Sequence, residues 1–460
     1  MAGLSVRHDA GQCAEALVRH SMAGDRDVVA QLLERHGLEL IDAGDAEIVR
    51  TSMKCIEGMQ DRSAMLVAVE GALASQMGHH DSAEAWLTRA IERASDPDEK
   101  ASLLYRSCVD QLRRGRADCI EILQSYVDRP GPIQAAMNAT LATAYSMIER
   151  MDEARHYARR ARDFLNGSAH DAIAARTLHQ LGYVALRTGD FADAKSFANQ
   201  AVCLALFNGD HNLAARAYSL LYELAYAIDC DPAAASRYLS MVKDCADKTG
   251  DAYIRVWAIL GLLYVEAEAG NLKAMHAHEE TLKLHDVAQS VVEIGQGLLP
   301  AHALERAWNG DFQQAYRLVA QSAEVQPTTD RRALRFAEAA LYAAASGATE
   351  DARNAMESAD WALLQAPKIT KAAMQSQVYL VLAAGLAAGL EEARRRRERF
   401  DQNHLEMPST IDALMRAAGA ICDQWSGVEN HTDVVAALAV LRSRHLGGIA
   451  RLFEQLPTPV

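Results

Sequence analysis

Small and apolar residues recur along most of the chain at the spacing of an amphipathic helix, and a short turn interrupts them at regular intervals. Between Ala175 and Ala205 the pattern is clearest. Leu178, Leu181, Gly182 and Ala185 form one apolar stripe. Gly189-Asp190 then breaks the run, and Ala194, Phe197, Ala198 and Ala201 form a second stripe. A 3.6-residue period predicts a helix on either side of the break, and glycine supplies the backbone freedom the turn needs. The same turn followed by alanine recurs at Ala154, Ala194, Ala234, Ala274, Ala315, Ala352 and Ala393, at intervals of 40, 40, 40, 41, 37 and 41 residues. An upstream copy stands at Gly78 to Ala83. One such helix pair cannot bury its apolar face alone, whereas stacked pairs can. The predicted fold is therefore all-α, a superhelical solenoid of antiparallel helix pairs with a period near 40 residues.

The pattern also predicts the organisation. Residues 1–63 read as an N-terminal helical lead-in, 64–405 as the repeat array and 406–460 as a C-terminal helical cap. Pro408-Ser409-Thr410 marks the last boundary and offers an N-cap before Ile411. Arrays need an atypical terminal unit to cover their last apolar face.

Composition agrees and excludes some function classes. Of 460 residues, 50% are hydrophobic and 23% charged, so wholesale disorder is excluded. Alanine is roughly one residue in five and proline only 10 residues, a balance that favours helix. The net charge of −14 argues against nucleic-acid binding by this chain alone. Eight cysteines at 13, 55, 108, 119, 203, 230, 245 and 422 include no Cys-x-x-Cys pair and read as reduced, mostly buried thiols. Met1 to Ala10 lacks the apolar core of a secretory signal. The longest apolar run, Val378 to Leu390, falls short of the ~18–20 residues that span a bilayer. The expected setting is cytoplasmic, without a membrane partner.

Leu181-Gly182, Ala194 and Ala201, together with Tyr145, Ala154 and Ala161, resemble the tetratricopeptide-repeat class. The period, longer than the usual ~34 residues, is more similar to the repeats of MalT-like and LuxR-type large transcription activators. His20 to Asp25, Leu32 to Gly37, Leu40 and Gly44 resemble the segment that links nucleotide-binding module to repeats in that family. The resemblance implies a sensor region, with an ATPase before the repeats and a helix-turn-helix after them. Neither module is expected here: the chain contains no Gly-Lys dipeptide, so it has no Walker A loop. The chain is expected to be the repeat segment of a larger regulator or a stand-alone relative.

Enzyme signatures are missing. Gly295-Gln296-Gly297 lacks the third glycine of a dinucleotide fingerprint, and no Gly-x-Ser-x-Gly or His-Glu-x-x-His sequence occurs. His276, His278 and His285 share one predicted helix but lack the further ligands of a metal site. In the run Glu391 to Arg399, acidic residues precede arginines by four positions, the pattern of a solvated helix face. No catalytic residue, metal or cofactor is expected. In tetratricopeptide-like arrays the first helix of each pair lines the inner groove. Matching offsets select Arg176, His179, Tyr183 and Arg187 in one unit and Arg216, Glu223 and Tyr226 in the next. Trp257, Tyr264, Glu268 and Trp308 follow. Arginines fork onto carboxylate or phosphate, and aromatics add contact area at low entropic cost. The surface suits a protein segment or a small anionic effector. The expected function is non-enzymatic: binding an effector or partner to control a bacterial transcriptional regulator. The alternative is a stand-alone scaffold that gathers partner proteins.

Overall fold

The structure is a computed structural model that describes residues 2–114, 116–129, 133–165, 172–283, 292–326, 328–366, 370–403, 407–427 and 431–459. The chain is all-α, a solenoid of antiparallel helix pairs, with no strand among the described residues. Its contacts divide it into two compact units, residues 1–221 with 241–255, and residues 222–240 with 256–460.

The first unit begins with α1 (Ala2–Ala23), α2 (Arg26–Ala43), α3 (Ala46–Cys55), α4 (Ala64–Gln76) and α5 (His80–Arg93). It continues with α6 (Pro97–Arg113), α7 (Ile120–Tyr126), α8 (Gln134–Met147), α9 (Met151–Leu165), α10 (Ala172–Thr188) and α11 (Phe191–Asn208). The boundary between units falls within α12 (His211–Glu223), α13 (Pro232–Thr249) and α14 (Ala252–Ala269). In this unit α4 packs on α5, α8 on α9 and α10 on α11, and α8 and α10 pack side by side. Alanine at the contact lets two backbones approach. Ala154, Ala161, Ala194, Ala198 and Ala201 are fully buried. Gly182 is a tight point: a Cβ there would stand 2.7 Å from Leu220 Cδ2 and 3.4 Å from the Ala194 carbonyl oxygen. The N-terminal helices belong to the same packed body, since α1 touches α11 and the Gly44 turn lies against the backbone of Lys248 and Thr249.

The second unit holds the remaining helices. These are α15 (Leu272–Lys283), α16 (Val292–Trp308), α17 (Phe312–Ala323), α18 (Thr329–Ala345) and α19 (Thr349–Gln365). After them come α20 (Lys371–Ala387), α21 (Leu390–Asn403), α22 (Ser409–Trp425), α23 (His431–Ser443) and α24 (Gly447–Glu454). The pairs α16–α17, α18–α19, α20–α21 and α22–α23 pack as hairpins. One continuous apolar core runs through them, with Tyr342, Tyr379, Phe400 and Leu414 among its buried members. Thr410 does not act as a cap: its hydroxyl donates to the Cys230 carbonyl at 2.9 Å inside the core, and α22 begins at Ser409 with Pro408 at the N-cap position.

At most of the repeated turns a left-handed residue stands two positions before the second helix of the pair. Gly189 (φ 86°) and Gly310 (φ 76°) adopt it freely. Two repeats lack glycine there, and Glu149 (φ 62°) and Cys230 (φ 52°) take the same conformation at a steric cost. The packing of the pair, not the turn residue, therefore enforces the turn.

Candidate functional site

Six helices of the first unit enclose a cleft, and five of them bring its polar groups. Asp42 comes from the end of α2, Ser75 and Gln76 from α4, Arg106 and Asp110 from α6, and Arg176, His179 and Gln180 from α10. Asp210, Asn212 and Arg216 complete it from the start of α12. The cleft holds about 770 Å³ of empty space, part of it open solvent at the mouth. Arg176 and Arg216 are one repeat period apart in sequence, so they occupy the same place on successive first helices.

Electrostatics organise this cleft. Asp42 Oδ2 accepts from Arg106 Nη2 at 2.9 Å and from Arg176 Nη2 at 2.5 Å. Asp210 approaches the same Arg176 nitrogen at 3.4 Å, while its other oxygen accepts from the Leu213 backbone N–H at 2.8 Å and caps α12. Burial alone would raise the Asp42 carboxyl. The guanidiniums of Arg106, Arg176 and Arg216 outweigh burial and hold it at about 2. Burial also opposes the charge on Arg176, and Asp42 and Asp210 more than restore it. Asp210 is shifted upward by burial and then by the Asp42 charge, against the pull of Arg176. Burial, followed by the Arg216 charge, pushes His179 down to about 3, so its ring is neutral at physiological pH. Deeper in the wall, the Ser75 hydroxyl donates to Asp110 at 2.6 Å, and Asn212 donates to Asp251 at 3.2 Å.

Of the groove residues expected from sequence, Arg176, His179 and Arg216 line this cleft. Tyr183 is half-buried elsewhere on α10. Arg187 Nη2 donates to the Ser146 carbonyl at 3.4 Å, which ties α10 to α8. The others belong to the second unit, where Glu268 and Trp308 are buried and Glu223, Tyr226, Trp257 and Tyr264 are half-buried. Glu223 accepts from Arg331 Nη2 through both oxygens, at 2.8 and 3.0 Å. Tyr226 donates its hydroxyl to Glu268 at 3.0 Å, and the Trp257 ring meets Tyr222 edge-on. Tyr264 accepts from Arg335 at 2.9 Å. Trp308 is buried beside Gly448, with Arg451 over its ring.

Glu268 is the centre of the second network. Lys371 Nζ donates to it at 2.6 Å and lies 3.7 Å from the centre of the Tyr226 ring. Lys371 is 2% exposed and Glu268 1%. A π-helical turn, Leu224–Ile228, carries Tyr226 to this place. Arg335 pairs with Glu338, also buried. Asp42, Arg106, Arg331, Arg335, Glu338 and Lys371 escaped sequence reasoning. A signal for three of them existed: Arg335 and Glu338 are charged residues three apart on an alanine-rich helix, and Lys371 is the single charge of α20.

Among the described residues no group of histidine, cysteine and carboxylate side chains could hold a metal. His276 instead faces Glu305 at 3.0 Å, and His285 lies outside the described residues. The arginines of the basic run pair with carboxylates: Arg396 meets Asp360 and Glu392, and Arg394 meets Glu391. No described helix is long and apolar enough to cross a membrane.

Comparison with known proteins adds to this geometry. A tetratricopeptide-repeat family model matches residues 175–206, the α10–α11 pair. No curated protein matches the chain. Among solved structures, it is similar to a Rap protein complexed with Competence and Sporulation Factor. The identity is 12% over 77% of this chain and 99% of that one, with a TM-score of 0.46. It is similar also to the apo form of the quorum sensor NprR from B. thuringiensis, 13% identical over 78% of this chain and 97% of that one, with a TM-score of 0.46. A third, Ton1535 from Thermococcus onnurineus NA1, is 13% identical over 84% of this chain and 98% of that one, at a TM-score of 0.29. Within the 460 residues, α10 and α11 thus form a tetratricopeptide-type repeat in an all-α helical-repeat protein.

Proposed function

We propose that the chain is a non-enzymatic binding region, which takes an effector or partner on the inner helices of its first unit and thereby controls a bacterial transcriptional regulator. One observation carries the binding role. The first helices α6, α10 and α12 present Arg106, Arg176 and Arg216 to an open cleft, whereas the second helices of the pairs carry small buried alanines and a solvated outer side. Clefts with a few convergent polar groups are where ligands bind. The regulatory role rests on the resemblance of His20 to Gly44 to the MalT-like linking segment. Neither role asks for a nucleophile, a metal or a cofactor.

The test is capture from cell extract on the immobilised chain, with proteins and small molecules both identified by mass spectrometry. Arg176→Gln and Arg216→Gln should release what the wild type retains, while Arg394→Gln on the outer α21 should not. Retention that ignores the two inner arginines would refute the reading.

A further inference from the structure

The cleft of the first unit is lined by three aspartates and three arginines, Asp42, Asp110 and Asp210 with Arg106, Arg176 and Arg216, and Asp110 also meets Arg114 at 3.4 Å. The charges alternate at hydrogen-bond distance: Arg106 to Asp42 at 2.9 Å, Asp42 to Arg176 at 2.5 Å, Arg176 to Asp210 at 3.4 Å. His179 adds no charge at neutral pH.

Such an arrangement selects ligands by their charge pattern. A simple anion that takes the Nη2 donors of Arg106 or Arg176 competes with Asp42 and Asp210, which accept from those nitrogens. A simple cation faces the converse problem. Either leaves a net charge in a poorly solvated site, which is costly. A ligand carrying both signs a few ångströms apart can instead insert between existing partners. Its carboxylate replaces one accepting group and its ammonium one donating group, so the net charge of the site does not change and the displaced groups regain a partner. The spot that gains most is the Asp42–Asp210 pair, where two carboxylates share one guanidinium nitrogen of Arg176. Burial first and then the Asp42 charge raise the Asp210 carboxyl, and an ammonium placed between the two carboxylates offsets both. Arg106, which meets Asp42 through Nη2, is within reach of the ligand's carboxylate. The remaining wall, with Leu87, Val109 and Leu213, is apolar and would receive a side chain.

We propose that the effector of this cleft is a free α-amino acid, held as the zwitterion with its ammonium between Asp42 and Asp210 and its carboxylate on Arg106. This assignment rests on the binding role proposed above and names the ligand class for it.

The twenty free amino acids are titrated into the purified full chain by isothermal calorimetry. At least one should bind saturably, at one per chain. Its N-acetyl derivative, its carboxamide and its decarboxylated amine each lack one charge and should bind about tenfold more weakly or worse, as expected for loss of a charge-assisted hydrogen bond. Asp210→Asn keeps an oxygen to cap α12, so a folded variant is expected by circular dichroism. It should weaken the same amino acid about tenfold. The ligand series needs no variant, so a folding defect in Asp210→Asn does not shield the proposal. Failure of all twenty, or equal binding by the singly charged derivatives, overturns it. Partner capture is scored separately. A retained partner with no amino acid bound overturns this inference and leaves the binding role standing. An amino acid that binds without altering any retained partner overturns regulation and leaves this inference standing.

Discussion

Replacing Glu268 by Gln should destabilise the second unit by about 3–5 kcal/mol, and adding Lys371→Met should restore most of that loss. Among the described residues Lys371 donates to the Glu268 carboxylate at 2.6 Å and lies 3.7 Å from the centre of the Tyr226 ring, with the buried Glu338 carboxylate also within its field. At 2% exposure water cannot replace the lost charge. The single variant therefore strands an ammonium in the core. In the double variant both charges are gone, the methionine fills a similar volume, and the Gln carbonyl still accepts from the Tyr226 hydroxyl. Domain stabilities are typically ~5–15 kcal/mol in total, so the single variant should be visibly impaired at room temperature. Urea unfolding followed by tryptophan fluorescence is a suitable assay, because Trp257, Trp308, Trp361 and Trp425 belong to the second unit and only Trp86 to the first. The coupling between the two positions should exceed about 2 kcal/mol. A single variant costing under about 1 kcal/mol, or a double variant no better than the single, would show that the pair is hydrated or open and that this network is not the closed interior described here.

Other consequences concern the first unit and the turns. Asp42 is held at about 2 against an ordinary 3.8, so its contribution, about 2 kcal/mol, is present above pH ~4 and disappears as pH falls through 2. The stability difference between wild type and Asp42→Asn in acid titration should shrink over that window. His179 is a base shifted down to about 3, so stability should fall as pH drops below about 6.5, and His179→Gln should flatten that slope in chemical denaturation. Ala194→Leu should cost about 1–3 kcal/mol by overpacking the α10–α11 contact, while exposed Asp193→Ala stays within about 0.5 kcal/mol. Glu149→Gly should raise the unfolding midpoint, gaining about 1 kcal/mol by removing a left-handed non-glycine residue.

The architecture was legible because it depends on local, periodic features. Alanine every 40 residues beside a turn is a direct imprint of close helix packing, and Ala154, Ala194, Ala315 and Ala352 are all fully buried. The turn itself was legible even where Gly was absent, since the alanine register marked it at Glu149 and Cys230. The site was only partly legible. Inner-helix offsets pointed to Arg176, His179 and Arg216, because successive repeats place equivalent positions on one face. They could not supply Asp42, which comes from α2 and meets Arg176 across 134 residues. A register reports which way a side chain faces, not whether a charge from a distant segment meets it. The same limit explains Tyr226, Tyr264 and Glu268. Their offsets matched a groove lining, and the register could not show that Lys371 and Arg335 from α20 and α18 meet Glu268 and Tyr264.

The central claim is that the inner helices of the first unit form the ligand-binding surface. Hydrogen exchange with mass spectrometry, run on the chain alone and with the fraction it retains from extract, tests it most directly. The account predicts added protection in peptides covering 38–44, 101–112, 173–188 and 210–221, and none on the outer helices α19 and α21. Protection confined to those outer helices, with the cleft peptides unchanged, would contradict it.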